Sequence, residues 1–273
     1  MVPWDGTWGG GSRNGQFTAW TTRIDSVLCP SDAAGSVREW DGPPNSYRAS
    51  VGDIHTSSRH WWHGLPEAQR NVWLGGLAGD NRGIFVVGLY GTIDFGGIPD
   101  GTSNTLLLSE AAIGTARRAN DVKGGIAVVA NRTSPGLGTY TSPIIPGYCR
   151  DRAGANGRLI GAVATAGGNH SGQRWGDSLN TYTLFHAALP PNSPSCNSLN
   201  HRENDLGPLI SASSFHSGGV NAALADGSVR FFSETIHAAR LHEGLLKDYS
   251  GPAIWGIWAS LSTRNGGEST TMP

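Results

Sequence analysis

The sequence predicts a mainly β, α+β fold with long irregular loops and one or two short helices. Three observations carry this. Residues 213–232, SSFHSGGVNAALADGSVRFF, hold two alternating runs around Asp226-Gly227, the strongest short-range hairpin signal. The chain has 40 Gly and 15 Pro in 273 residues, so turns are frequent. The remaining apolar stretches are short, and few runs have helical spacing.

The hairpin is the best-patterned stretch. Val220, Ala222 and Leu224 alternate with Asn221, Ala223 and Ala225. After the turn, Val229 and Phe231 form the apolar set, alternating with Ser228, Arg230 and Phe232. Gly227 takes positive φ cheaply, and Asp226 can bond the turn backbone. Ser217-Gly218-Gly219 lets the chain turn sharply into the first strand. The expected pairing is 219–225 with 228–232, at the centre of the core.

In chain order, residues 1–22 read as an extended, irregular N-terminal arm with an edge strand at 16–22. Strands are expected at 24–29, stopped by Pro30-Ser31-Asp32, and at 46–51. Residues 55–69 bring His55, His60 and His63 together with Trp61 and Trp62. Further strands are expected at 83–90, 105–110 and 124–130, with a weaker one at 159–165. Residues 182–188 run into Pro190-Pro191-Asn192. Ser233-Glu234-Thr235 can cap a short helix over 236–246, whose Ala238, Leu241 and Leu245 share a face. The tail carries Ile254, Trp255, Ile257, Trp258 and Leu261 before a polar end at 262–273. No repeat divides the chain, and 1–273 reads as one domain.

Composition excludes several function classes. The net charge is −1, no basic stripe is visible, and nucleic acid is not expected as a partner. No apolar run approaches the ~20 residues that span a bilayer. Met1-Val2-Pro3-Trp4 has neither the basic start nor the apolar core of a signal peptide. Charged residues make up 15%, and ten Trp accompany only two Met, which suits rigid aromatic packing at interfaces.

Cys29, Cys149 and Cys196 include no C-x-x-C pair. Cys149 and Cys196 lie in Pro- and Ser-rich loops, where a staple limits chain entropy; Cys29 ends a strand at Leu-Cys-Pro. The expectation is a Cys149–Cys196 disulfide with Cys29 free, in an exported protein.

Several constellations have the residue types for chemistry. His216, Asp226 and Ser213 or Ser214 match a hydrolase triad, but no G-x-S-x-G elbow accompanies them. The plainer reading is structural: His216 donates a ring N–H to a carbonyl or to the Asp226 carboxylate and fixes the loop. His60 and His63 are spaced to share a metal on a helix, yet no third ligand is evident. Asp100, Ser103 and Asn104 offer oxygen ligands of the calcium type without an EF-hand's carboxylate density, and Asx turns explain them as well. Asn131-Arg132-Thr133 and Asn169-His170-Ser171 are glycan-acceptor triplets and point to surface loops.

Several blocks together are specific to one family. His216, nine residues and then Asp226-Gly227 form an H-x9-D-G motif. Leu28-Cys29-Pro30-Ser31-Asp32, the run DGTSNTLLLSE at 100–110, PPNSPSC at 190–196 and Asn265-Gly266-Gly267-Glu268 occur with it. Across nearly the whole chain these blocks resemble the pseudopilin-related domain of unknown function 1559 family, whose C-terminal signature is the prepilin-type, processing-associated motif. The resemblance implies a pilin-like antiparallel sheet head, of type II secretion-like kind, at the cell surface or outside the cell. It makes His216, Gly218, Gly219, Asn221, Asp226 and Gly227 the motif residues. No cofactor is expected, although pseudopilin heads in the wider family can hold calcium in a C-terminal loop, for which Asp100, Asn104 and Asp226 are the candidates here. Members usually begin with a prepilin leader and a long apolar helix; the expectation here is the head region alone.

The functional expectation is a structural, non-enzymatic subunit that self-assembles into a filament, tube or lattice. Trp4, Trp8, Trp61 and Trp62 are the expected contacts. The alternatives are a surface module that binds glycans or protein partners through Trp61 and Trp62, and a secreted hydrolase using His216.

Overall fold

The computed structural model describes residues 22–37, 42–54, 82–85, 93–130, 144–166, 170–177, 179–200, 208–244 and 249–268. The arm at 1–21, the His55–His63 block and Trp4, Trp8, Trp61 and Trp62 lie outside the described residues.

The strands are β1 (Tyr47–Ser50), β2 (Leu106–Glu110), β3 (Ile126–Val128), β4 (Leu184–Phe185), β5 (Ser195–Asn197), β6 (Gly219–Leu224) and β7 (Val229–Ser233). Among the described residues, three short α-helices accompany them: α1 (Pro146–Arg150), α2 (Asn180–Thr183) and α3 (Ile257–Ser260). The main sheet has the order β4-β1-β2-β6-β7, and β3 pairs with β5 in a second, two-stranded sheet. The fold is mixed and mainly β, as expected. The main sheet is antiparallel except for the β1–β4 pair, and β3–β5 is also parallel.

The β6–β7 hairpin forms as its sequence requires. Asp226 Oδ1 accepts bonds from the Ser228 N–H and hydroxyl, and Gly227 sits at φ +83°. Those local bonds fix the register, pairing Val220 with Phe232 and Asn221 with Phe231. One expectation is inverted by that register. Phe232 faces the core, whereas Val229 and Phe231 lie on the opposite face and are 67% and 52% exposed. Alternation told which residues share a face in β7, but the partner strand decided which face is inside.

Four other expectations are corrected. Residues 24–29 form no strand: Asp25–Val27 is a 3-10 turn, closed by Val27 N–H to Ile24 and Leu28 N–H to Asp25. Residues 236–244 are not helical. Ala239 and Ile257 exchange backbone bonds with Trp255 and His237, and Arg240 has φ +50°. Those long-range bonds replace the i→i−4 ladder. Over 159–165 only single bridges form, Leu159 to Ala153 and Val163 to Ala127. Gly83 to Phe85 is irregular, and the rest of that expected strand lies outside the described residues.

Among the described residues, two large apolar clusters and two small ones, Leu28 with Ala34 and Ile113, and Ile126 with Ala164 and Ile210, fill the interior. One large cluster packs Leu106, Phe185, Val220, Leu224, Phe232 and Trp258 against the main sheet. The other large one packs Ile54, Val129, Ile144, Leu189, Leu209 and Trp255 around Cys149 and Cys196. Those two cysteines form a disulfide, and Cys29 is free and buried.

Candidate functional site

The site lies at the C-terminal end of β2, where the sheet gives way to loops. Tyr47 pairs with Glu110, and Asn221 pairs with Phe231. Glu110 is one step beyond the last β2–β6 ladder pair, Ser109 with Ala222, so its carboxylate, not a ladder carbonyl, accepts the Asn221 N–H. Asn221 donates its backbone N–H to Glu110 Oε2 at 2.7 Å, and its amide nitrogen lies 3.4 Å from both carboxylate oxygens. The Glu110 side chain is 3% exposed. A buried carboxylate needs such donors to remain in place.

Two loops deliver the other members. The 3-10 turn before Cys29 carries its thiol to 3.7 Å from Glu110 Oε1. The loop ahead of β6 carries His216, whose Nε2 lies 3.0 Å from the same oxygen and 3.6 Å from Cys29 Sγ. That loop is fixed locally: Ser214 Oγ accepts the His216 N–H and donates to the Gly219 carbonyl. Gly219 is required here, because a Cβ would lie 2.0 Å from the Phe232 carbonyl oxygen and 2.8 Å from the Phe231 ring. His216 is about one third exposed, so one side of the cluster faces outward.

Burial raises the Cys29 thiol pKa, and the Glu110 charge adds to it, against a lowering bond from Ser31. Tyr47 is raised by burial and then by Cys29 and Glu110. The geometry is poor for a nucleophile. Glu110 and Cys29 face the same ring nitrogen, so an Nε2–H bonded to Glu110 leaves no base for the thiol. A working triad places base and orienter on opposite nitrogens.

Sequence reasoning named His216 and Asn221 but gave His216 a backbone carbonyl or the Asp226 carboxylate as its partner. The structure pairs it with Glu110, which belongs to a distant block, while Asp226 stays in the hairpin turn. The hydrolase triad of His216, Asp226 and a serine is therefore not assembled: Ser213 Oγ accepts the Ala112 N–H, and Ser214 caps the loop. Glu110 was missed because a lone Glu at a strand end carries no spacing signal. The calcium candidates are also dispersed into turns. Asp100 accepts the N–H groups of Gly266 and Gly267, Asn104 donates to the Asp100 carbonyl, and Asp226 serves Ser228. In the second glycan-acceptor triplet, His170 and Ser171 are buried rather than on a surface loop.

The other motif blocks each end in a defined bond set. Asp32 accepts the N–H groups of Ala34 and Ile113 and pairs with Arg118 at 2.5 Å. Asn192 joins the Ser214 N–H to the Glu234 carboxylate. Next to the cluster, Phe215 and Lys123 line an open groove of about 670 Å³ that also includes Arg150, Asn192 and Glu234.

The arrangement is that of a β-rich domain whose distant sequence blocks are tied at buried acid-centred knots. The chain belongs to the family described as a protein of unknown function (DUF1559), whose profile matches residues 2–239. No curated protein and no solved structure matches the chain.

Proposed function

We propose that this protein is a structural, non-enzymatic, pilin-like subunit that self-associates at the cell surface or outside the cell. The observation that carries the reading is the outer face of β7. Among the described residues this strand ends the main sheet, and its two exposed large apolar side chains, Val229 and Phe231, face away from the core. An edge strand with apolar groups facing solvent is a ready template for another chain. A second copy is the occupant the composition suits, because a nearly neutral, weakly charged surface opposes self-contact little. The opposite edge, β4, has two residues, both buried, so it does not mirror β7. A contact between β7 and a different surface of the next copy is heterologous and continues into filaments or tubes.

Two further features support the reading. A disulfide fits an oxidising compartment. The Cys29–Glu110–His216 group holds loops together in a geometry unsuited to nucleophilic catalysis. Among the described residues, no helix is long and apolar enough to cross a membrane.

The test is assembly state by light scattering after size exclusion, with negative-stain microscopy. Wild type is expected to grow with concentration into extended particles, and Val229→Lys/Phe231→Lys to stay monomeric with unchanged circular dichroism. A wild type that remains a monomer at high concentration, or a double variant that assembles equally well, overturns the proposal.

A further inference from the structure

The Cys29, Glu110 and His216 side chains bring a thiol sulfur, a carboxylate oxygen and an imidazole nitrogen within 4.8 Å of one another. The separations are 3.6 Å for sulfur to nitrogen, 3.7 Å for sulfur to oxygen and 3.0 Å for nitrogen to oxygen. Around a tetrahedral zinc ion, Zn–S near 2.3 Å and Zn–N and Zn–O near 2.0–2.1 Å put the corresponding ligand pairs about 3.6, 3.6 and 3.4 Å apart. The three atoms thus already mark one face of a tetrahedron. Only the nitrogen–oxygen edge has to open, by a few tenths of an ångström.

We propose that Cys29 Sγ, Glu110 Oε1 and His216 Nε2 form a binding site for a zinc-class divalent cation, with the fourth position open to water on the exposed side of His216.

The surroundings fit this assignment in three ways. Glu110 Oε2 is held by the Asn221 N–H at 2.7 Å, while Oε1 is the oxygen that faces Cys29 Sγ and His216 Nε2. The donor set, one sulfur, one nitrogen and one oxygen, suits zinc better than calcium or magnesium, which prefer oxygen alone. Charge also balances: a dication with one thiolate, one carboxylate and a neutral imidazole is neutral, as a largely buried site requires. The proton count closes as well. The thiol proton leaves to solvent, and the imidazole remains neutral by carrying its proton on Nδ1, so binding releases one proton. The ligands come from three blocks far apart in sequence, so the ion ties the loop before β1, the end of β2 and the loop before β6 together.

The experiment uses tag-free protein, stripped with chelator and dialysed, then titrated with Zn2+ and with Co2+. One ion per chain is expected, together with the visible bands of tetrahedral cobalt and a near-ultraviolet thiolate-to-cobalt band. Zn2+ should also slow alkylation of Cys29. His216→Asn keeps this partly exposed position polar and should weaken Zn2+ binding by about 100-fold or more, since even a supporting residue costs about 10–100-fold. Cys29→Ser should abolish the charge-transfer band. Circular dichroism of the metal-free variants checks that they fold, and the wild-type alkylation rate needs no variant at all. The proposal fails if the stripped wild type takes up no stoichiometric Zn2+. It fails equally if the cobalt spectrum lacks a thiolate band, or if Cys29 reacts at the same rate with and without Zn2+.

Discussion

Trp255 and Trp258 stand three residues apart and enter different cores. Trp258 packs on Phe185 and Phe232, with ring centroids 6.3 and 5.1 Å away, inside the main-sheet cluster. Trp255 enters the cluster around the disulfide and donates its indole N–H to the Glu243 carbonyl. Ala259 and Leu261 divide in the same way. The sheet half is built on longer ladders, broken by one register shift between Leu106 and Leu108, where each register fixes many contacts at once. Among its described residues, the disulfide half has only the short β3–β5 pair and scattered bridges. There a covalent link between Cys149 and Cys196, 47 residues apart, does what a longer ladder does in the other half. Long irregular loops carry a large conformational entropy in the unfolded chain, and a cross-link removes part of it.

The largest expected effect is on the sheet half. Leu224 is fully buried beside Trp258's cluster, and Leu224→Asp leaves a carboxylate there without a partner. The lost apolar burial and the unpaired charge together cost about 5 kcal/mol or more, comparable with the whole stability of many domains. The variant is expected to be insoluble or unfolded by circular dichroism. Native spectra with an unchanged melting temperature would show that the hairpin is not central to the core.

Breaking the disulfide should act next most strongly and on the other half. For this loop length the chain-entropy model gives about 4 kcal/mol, with realised values often nearer 2. In Cys149→Ala/Cys196→Ala, hydrogen exchange should speed up first at β3, β5 and α1, while β6 and β7 stay protected. Simultaneous loss of protection everywhere would mean that the two halves are one cooperative unit.

The smallest effect is one of pH. Asp53 precedes Ile54 of the disulfide half, is fully buried, and lies 2.9 Å from Arg82. Burial lifts its pKa from 3.8 to about 6, outweighing the lowering pull of Arg82. A raised folded-state pKa means that folding takes up a proton between those values. Its contribution is therefore complete below the unfolded value and is lost as pH rises through about 6, worth at most about 3 kcal/mol. The melting temperature of wild type relative to Asp53→Asn should fall as pH rises from about 4 to about 6 and level off above that. A difference independent of pH would show that Asp53 stays ionised throughout.

Legibility followed the same division. The hairpin, β1 and β2 were readable because alternation and a D-G turn are local signals. The disulfide pairing was readable from the setting of each cysteine. The strand expected at 24–29 and the helix expected at 236–246 failed because local pattern was overridden by what lay alongside. The first found no described strand to pair with, and the second gave its backbone bonds to the segment around Trp255. Within the candidate site, His216 and Asn221 stood out in their motif, whereas Glu110 and Cys29 gave no hint that they would meet them.

By itself the sequence determined the class of fold, the hairpin and its turn, the cysteine pair and the family. These depend on neighbours within a few residues, or on composition. Only the tertiary structure decided which face of β7 is inside, which acid His216 meets, and where the candidate calcium ligands spend their bonds. Each of those is settled by register and by contacts across a hundred residues or so, where one step of a strand reverses every side chain.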